Sequence, residues 1–167
     1  MDDDGTSLIP AATRALIGNA EVSSVSVEIT AEGSQRYAQA VGDLNPVYFD
    51  VDAAQAAGYR DLIVPPTYVQ YALVRGRSLE DVREDGLFLS KRSAMVLRVS
   101  RTMFGGEEWD FLGPVHVGDR ITATGRLAGL DEKQGSKGPF VRITRETTFT
   151  NQDGEVVACA RQIGIAR

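Results

Sequence analysis

The sequence predicts an α+β domain, and three observations carry that prediction. Apolar residues alternate with polar ones near the start and again through the second half, helical spacing is confined to the stretch between, and no linker, repeat or low-complexity tract divides the chain. Residues 1–20 read as an N-terminal extension, a polar end followed by a weak helical turn in the patch from Ala11 to Ile17. Residues 21–167 read as a single domain. From Val22 to Ile29 the apolar Val25, Val27 and Ile29 alternate with polar neighbours, the period of a half-buried strand. Thr30 is placed to cap a helix running to about Val41, with Tyr37, Ala38 and Val41 on one face and Gly42 closing it. Asp52 to Ala57 is alanine-rich and predicts a short helix ended by Gly58. Pro65 and Pro66 suit the first turn of a further helix, from Thr67 to about Leu79, whose small and apolar residues suit burial under a sheet.

After about Phe88 the period becomes two. Met95–Val99 and Glu108–Phe111 read as strands separated by a Gly105-Gly106 break, and Arg120–Leu130 as a third. Lys133–Gly138 reads as a turn. Val141, Ile143 and Phe149 mark a strand ending at Asn151-Gln152-Asp153-Gly154, a hairpin signal, and Val156–Ile165 returns.

Composition narrows the function. The chain has 167 residues and a net charge of −5, so the basic footprint of a nucleic-acid binder is missing. No apolar run is long enough to span a bilayer, and the acidic N-terminus is unlike a secretory signal. Cys159 is the single cysteine and His116 the single histidine, which excludes an internal disulfide, a cysteine-built zinc site and any mechanism needing two imidazoles from one chain. The expectation is a cytoplasmic protein whose partners are small molecules or other chains.

The segment Tyr37-Ala38-Gln39-Ala40-Val41-Gly42-Asp43-Leu44-Asn45-Pro46-Val47-Tyr48-Phe49-Asp50, followed by Ala53, Ala56 and Ala57, resembles the MaoC-like hydratases and dehydratases. Gly113-Pro114-Val115-His116-Val117-Gly118-Asp119-Arg120 is similar to that family's downstream turn, and Asn151–Val157 to its final hairpin. The resemblance covers nearly everything after about residue 20. It implies the hot-dog fold, a curved antiparallel sheet wrapped around a long central helix, and hydro-lyase chemistry on acyl thioesters in fatty acid metabolism. Catalytic members carry Gly-Asp-x-Asn-Pro-x-His, whose aspartate and histidine handle water and proton. A helix N-terminus led by His-Gly gives an N–H to the thioester carbonyl, where charge develops.

This chain departs at both points. Asp43, Asn45 and Pro46 are present, but Tyr48 stands where the histidine would be, and a phenol is a poor base at neutral pH. Pro65-Pro66 stands where His-Gly would be, and Pro66 has no N–H to donate. The pair of departures resembles the non-catalytic, HadA-type subunit of bacterial (3R)-hydroxyacyl-ACP dehydratases and the degenerate halves of double-hot-dog hydratases. It implies a substrate-binding and structural subunit of a heteromeric enoyl-thioester hydratase or (3R)-hydroxyacyl-thioester dehydratase, with a MaoC-like partner supplying aspartate, histidine and N–H. The acyl pocket would be lined by Asn45, Pro46, Tyr48, Val64, Pro65, Pro66, Thr67, Tyr68 and Tyr71, with Asp43 a remnant catalytic acid. No cofactor is expected, since coenzyme A or acyl carrier protein would carry the substrate, and no metal is expected. Two other readings stay open: a self-sufficient homodimeric hydratase, and a non-enzymatic acyl-thioester-binding homodimer. Plainer roles also stay open. Asp43 could satisfy N–H groups of its turn, Tyr48 could be an ordinary core tyrosine, Asn45-Pro46 a turn builder, His116 a solvated turn residue and Cys159 a buried inert thiol.

Overall fold

A computed structural model of the chain describes residues 7–19, 24–74 and 95–167, together with 80, 82 and 84. In chain order the elements are α1 (Ala11–Arg14), β1 (Val25–Glu28), α2 (Ala31–Val41), a 3-10 turn (Pro46–Tyr48), α3 (Val51–Ala56), α4 (Tyr68–Val74), β2 (Thr102–Phe111), β3 (Arg120–Gly135), β4 (Gly138–Thr150) and β5 (Val156–Ala166). All five strands form one antiparallel sheet in the order β1-β3-β4-β5-β2.

Local chemistry accounts for most boundaries. The Thr30 side chain accepts the Gly33 N–H at 3.2 Å to start α2, a cap worth about 1 kcal/mol. Gly42, at φ 76°, ends the helix in the left-handed region that glycine occupies without strain. Ala38 of α2 is fully buried and Tyr37 packs against the core cluster that contains Tyr68, but Val41 is 56% exposed and does not share their burial. Asn151 bonds to both ends of its turn, its Oδ1 accepting from the Asp153 and Glu155 N–H groups, and β5 then returns along β4 as the sequence predicts.

Two apolar clusters lie along the sheet. In the first, Tyr68, Val69 and Ala72 of α4 pack against Ile121, Ala123, Phe149, Ala158 and Ala160. This is the central buried helix of the sequence analysis; its expected continuation through 75–79 falls outside the described residues. In the second, Ile9 packs with Leu127, Leu130, Val141, Ile143 and Ala166, flanked by Met95, Leu97 and Val99. The segment assigned to the N-terminal extension is therefore packed on the sheet from about Leu8 onward.

Three strand expectations are corrected. Met95–Val99 keeps its alternation, with Val96 exposed and its neighbours turned inward, yet it joins no strand ladder. Its backbone is satisfied instead by the N-terminal segment: Arg98 N–H donates to the Leu8 carbonyl at 3.0 Å, and Thr13 Oγ1 donates to the Val96 carbonyl at 2.6 Å. Gly105-Gly106 does not interrupt pairing. β2 runs through it with a bulge, Gly106 taking φ 150°, while a Cβ on Gly105 would meet the Ile163 carbonyl oxygen at 3.1 Å. The turn after β3 is confined to Ser136 and Lys137, so β3 and β4 extend further than the polar composition suggests.

Candidate functional site

The stretch between α2 and α4 forms one wall of a cavity. Asn45 Oδ1 accepts the Val47 N–H at 3.3 Å and starts the 3-10 turn. That turn carries Tyr48 inward, where 7% of it remains exposed. Asp50 caps α3 by accepting from Asp52 and Ala53 N–H groups. Further on, Ile63 bridges to His116, Val64 N–H donates to the Val115 carbonyl at 3.0 Å, and Val117 N–H to the Leu62 carbonyl at 3.0 Å. Residues 62–64 are thereby laid against the loop from Gly113 to Val117, and the ends of β2 and β5 close the other side. This partly open cavity has a volume of about 440 Å³, with Val64, Pro66, Val69, Phe111, Val115 and Val157 among its apolar lining residues.

The residues expected at the site divide into two groups. Asn45, Tyr48, Val64 and Pro66 line the cavity. Asp43 lies beside Tyr48 but is not a lining residue, while Pro46 opens the 3-10 turn without reaching the cavity. Thr67, Tyr68 and Tyr71 are not lining residues. They gather around Tyr37, whose hydroxyl lies 2.9 Å from Thr67 Oγ1 and whose ring centroid lies 5.6 Å from that of Tyr68 and 5.3 Å from that of Tyr71. Pro65 is buried at the base of this group, its carbonyl accepting the Tyr68 N–H at 2.9 Å. The sequence analysis missed Tyr59, Phe111, Val115 and Val157, which come from three separate segments. Only Tyr59, one residue after the glycine ending α3, offers a local signal.

Tyr48 and Asp43 are brought together. Burial pushes the Tyr48 phenol above its ordinary value of 10.0, and the Asp43 charge, a hydrogen bond to Asp43 and the nearby Tyr59 add to the rise. The hydroxyl therefore keeps its proton at neutral pH and donates it to the Asp43 carboxylate. Asp43 also accepts the Asn45 N–H at 3.4 Å, so it serves the turn as well.

His116 differs from its expectation as a solvated turn residue: it is 8% exposed. The turn that carries it is tied down by Asp119, which is 2% exposed. Asp119 Oδ2 accepts the His116 N–H at 2.8 Å, while Oδ1 accepts from Arg60 and from Gln152 Nε2. Gln152 Oε1 in turn accepts the Arg120 N–H at 3.0 Å. Burial, and then the Arg60 charge, lower the His116 pKa below 6.5, outweighing the pull of Asp119 and Asp61. The unfolded chain thus takes up this proton first as pH falls, and stability declines with it below about pH 6.5. Urea melts at about pH 7.5 and about pH 5.5 are expected to show the loss, and His116→Gln to reduce it. Arg126 and Arg161 hold the Glu146 carboxyl below 4.5, so its own contribution is lost only at more acid pH.

Cys159 is half-buried on β5. Among the described residues, no group of three or more His, Cys, Asp or Glu side chains could hold a metal ion, and no helix is long and apolar enough to cross a membrane.

Residues 15–160 match the family model described as FAS1-like, dehydratase domain region. Over 154 residues the chain is 30% identical to a UPF0336 protein of Streptomyces griseus, covering 92% of this chain and 94% of that one. Among solved structures it is similar to a chain of the ChsH1-ChsH2 complex from Mycobacterium tuberculosis, with a TM-score of 0.72 at 19% identity over 93% of this chain and 91% of that one. It is also similar to a chain of the HadBC (3R-hydroxyacyl-ACP dehydratase) complex from the same organism, with a TM-score of 0.63 at 22% identity over 90% and 96%. At these identities the likeness establishes the fold, and the fold is the hot-dog arrangement of MaoC-like dehydratases.

Proposed function

The chain belongs to the FAS1-like dehydratase-region family, and from that premise we propose that it is the substrate-binding, structural subunit of a heteromeric hydro-lyase. Its substrates would be enoyl or (3R)-hydroxyacyl thioesters carried on coenzyme A or acyl carrier protein. A MaoC-like partner, as in the HadA-type pairing, would supply the aspartate, the histidine and the carbonyl-binding N–H. The cytoplasmic setting expected from the sequence is part of the same proposal.

One observation carries the reading: the group beside Asp43 is a buried phenol whose proton is held more tightly than in free tyrosine. Adding water to an enoyl thioester needs a group that accepts a proton near neutral pH, and Tyr48 is shifted the wrong way for that task. Pro66, on the cavity wall where a donor to the thioester carbonyl would be needed, has no N–H. The apolar remainder of the cavity suits an acyl chain. Both solved complexes named above contain two different chains, which agrees with a division of labour.

The test is turnover of crotonyl-CoA by the chain alone and by the chain co-expressed with a MaoC-like protein carrying Gly-Asp-x-Asn-Pro-x-His. Background turnover alone, and a rate at least about a hundredfold higher in a stable complex than for either chain, is expected. Steady turnover by the isolated chain, abolished by Asp43→Asn, would instead establish the self-sufficient homodimer, which the retained Asp43–Tyr48 contact keeps in view.

A further inference from the structure

A second cavity, partly open and about 390 Å³ in volume, adjoins the first and shares Gly113, Pro114 and Val157 with it. Arg60, Asp119, Asp153 and Glu155 bring charge to its wall. Arg60 and Asp119 pair with each other, so their charges cancel. Asp153 and Glu155 stand on the turn between β4 and β5, and among the described residues no cation pairs with either. Asp153 Oδ2 accepts from Gln152 Nε2 at 3.1 Å and Glu155 Oε2 from Asn151 Nδ2 at 2.8 Å. The second oxygen of each carboxylate has no hydrogen-bond donor among the described residues.

His116 lines the same cavity while remaining only 8% exposed. Asp119 satisfies its backbone, accepting its N–H at 2.8 Å and donating to its carbonyl at 3.2 Å. The ring makes no hydrogen bond among the described residues, since Nδ1 stands 3.7 Å from Asp119 Oδ2, beyond bonding distance. Burial and the Arg60 charge hold the ring neutral at neutral pH, and a neutral imidazole has one nitrogen that accepts. The cavity thus gathers two unpaired negative charges and a buried acceptor, while the cation on its wall is already committed to Asp119.

That arrangement suits a donor-rich cation larger than a metal ion, because the acidic and imidazole groups do not converge closely enough to ligate a metal. A guanidinium donates in several directions at once, so it can meet both carboxylates and the imidazole together. The rim says where the guanidinium comes from. Leu112 and Val156 line the cavity at 62% and 42% exposure, and the Leu112 N–H is fixed to the Val157 carbonyl at 2.9 Å. A small free cation gains nothing from such apolar shoulders. A polypeptide does, since an arginine seated in a pocket and ringed by apolar contacts is the usual anchor of a protein interface. We propose that this second cavity anchors a protein partner by seating an arginine of that partner among Asp153, Glu155 and His116, while the apolar residues flanking that arginine cover Leu112 and Val156. The proposal goes beyond the acyl-site reading and does not depend on what the first cavity holds.

The experiment uses the full chain at neutral pH and the proton NMR signal of the His116 ring, which is unambiguous because the chain has a single histidine. Three probes are titrated: N-acetylarginine methylamide, its uncharged citrulline counterpart, and the tripeptide acetyl-Leu-Arg-Leu-amide. The arginine amide is expected to move the signal saturably and the citrulline amide to leave it in place. The tripeptide is expected to bind about tenfold tighter than the arginine amide through its leucines. The double variant Asp153→Asn with Glu155→Gln is expected to bind the arginine amide at least about tenfold more weakly, with an unchanged thermal melt showing that it is folded. Leu112→Ser, which leaves the charged groups in place, is expected to cut the advantage of the tripeptide and keep the affinity for the arginine amide. No shift with the arginine amide, an equal shift with citrulline, or affinity that survives in the double variant overturns the proposal. So does a tripeptide that binds no tighter than the amide, which would make the cavity a site for small cations instead of a docking point.

Discussion

A chain carrying both Tyr48→His and Pro66→Gly is expected to hydrate crotonyl-CoA about a hundredfold faster than the natural sequence, while each single substitution stays near background. The reasoning follows from what each position lacks. Histidine at 48 would place a ring that titrates near neutral pH beside a carboxylate already there, replacing a phenol whose proton is held by burial and by Asp43. Glycine at 66 would restore an N–H on the cavity wall, where the thioester oxygen gathers charge as water adds. Proton transfer without carbonyl stabilisation, or the reverse, leaves one half of the barrier untouched, so the gain is expected only in the double variant. Stopped assays at about pH 7 with the single variants as controls would decide it. A double variant that folds, binds the thioester and stays at background would show that the site lacks more than these two groups, and would undercut the account of why the natural chain needs a partner.

Asp119→Ala is expected to lower stability by about 3 kcal/mol, and the melting temperature by about 6–12 °C for a chain of this size. The carboxylate is buried and accepts from Arg60, Gln152 and the His116 N–H. Removing it leaves a buried N–H without its partner and frees the turn that holds Ile63 and Val64 against the cavity. Arg60 is 62% exposed along its side chain and can return to water, which keeps the loss below that of a fully buried pair. Asp119→Asn, which keeps an acceptor oxygen, is expected to lose about half as much. A calorimetric scan that places the alanine variant within about 2 °C of the natural chain would remove Asp119 as an organising residue.

The local parts of this architecture were legible because their causes are local. Thr30 and Gly42 bound α2 through a side-chain cap and a left-handed glycine, and Asn151 to Gly154 make their turn from their own side chains. The strand errors have an equally definite origin. Alternation at Met95–Val99 reports that one face is buried, but not that its covering partner is the N-terminal segment rather than a strand. Two adjacent glycines are compatible with a break or with a bulge, and only the close approach of Ile163 at Gly105 decides between them. The site was half legible for the same reason. Asn45 and Tyr48 belong to one continuous motif and Pro66 to the second position at which the resemblance is read, and all three reach the cavity, whereas Val157 and Phe111 arrive from strands far along the chain. His116 was misjudged because its burial depends on Asp119 finding Arg60, 59 residues earlier in the sequence.

On the sheet, Arg126 of β3, Glu146 of β4, Arg161 of β5 and Glu108 of β2 form a row of ion pairs running across four strands. Signs alternate along the row and cancel within it, so it projects almost no field beyond the first layers of water. Neither long-range attraction nor an oily foothold is on offer along that row. Molecules that collide there have little reason to linger, and productive encounters are left to other parts of the surface.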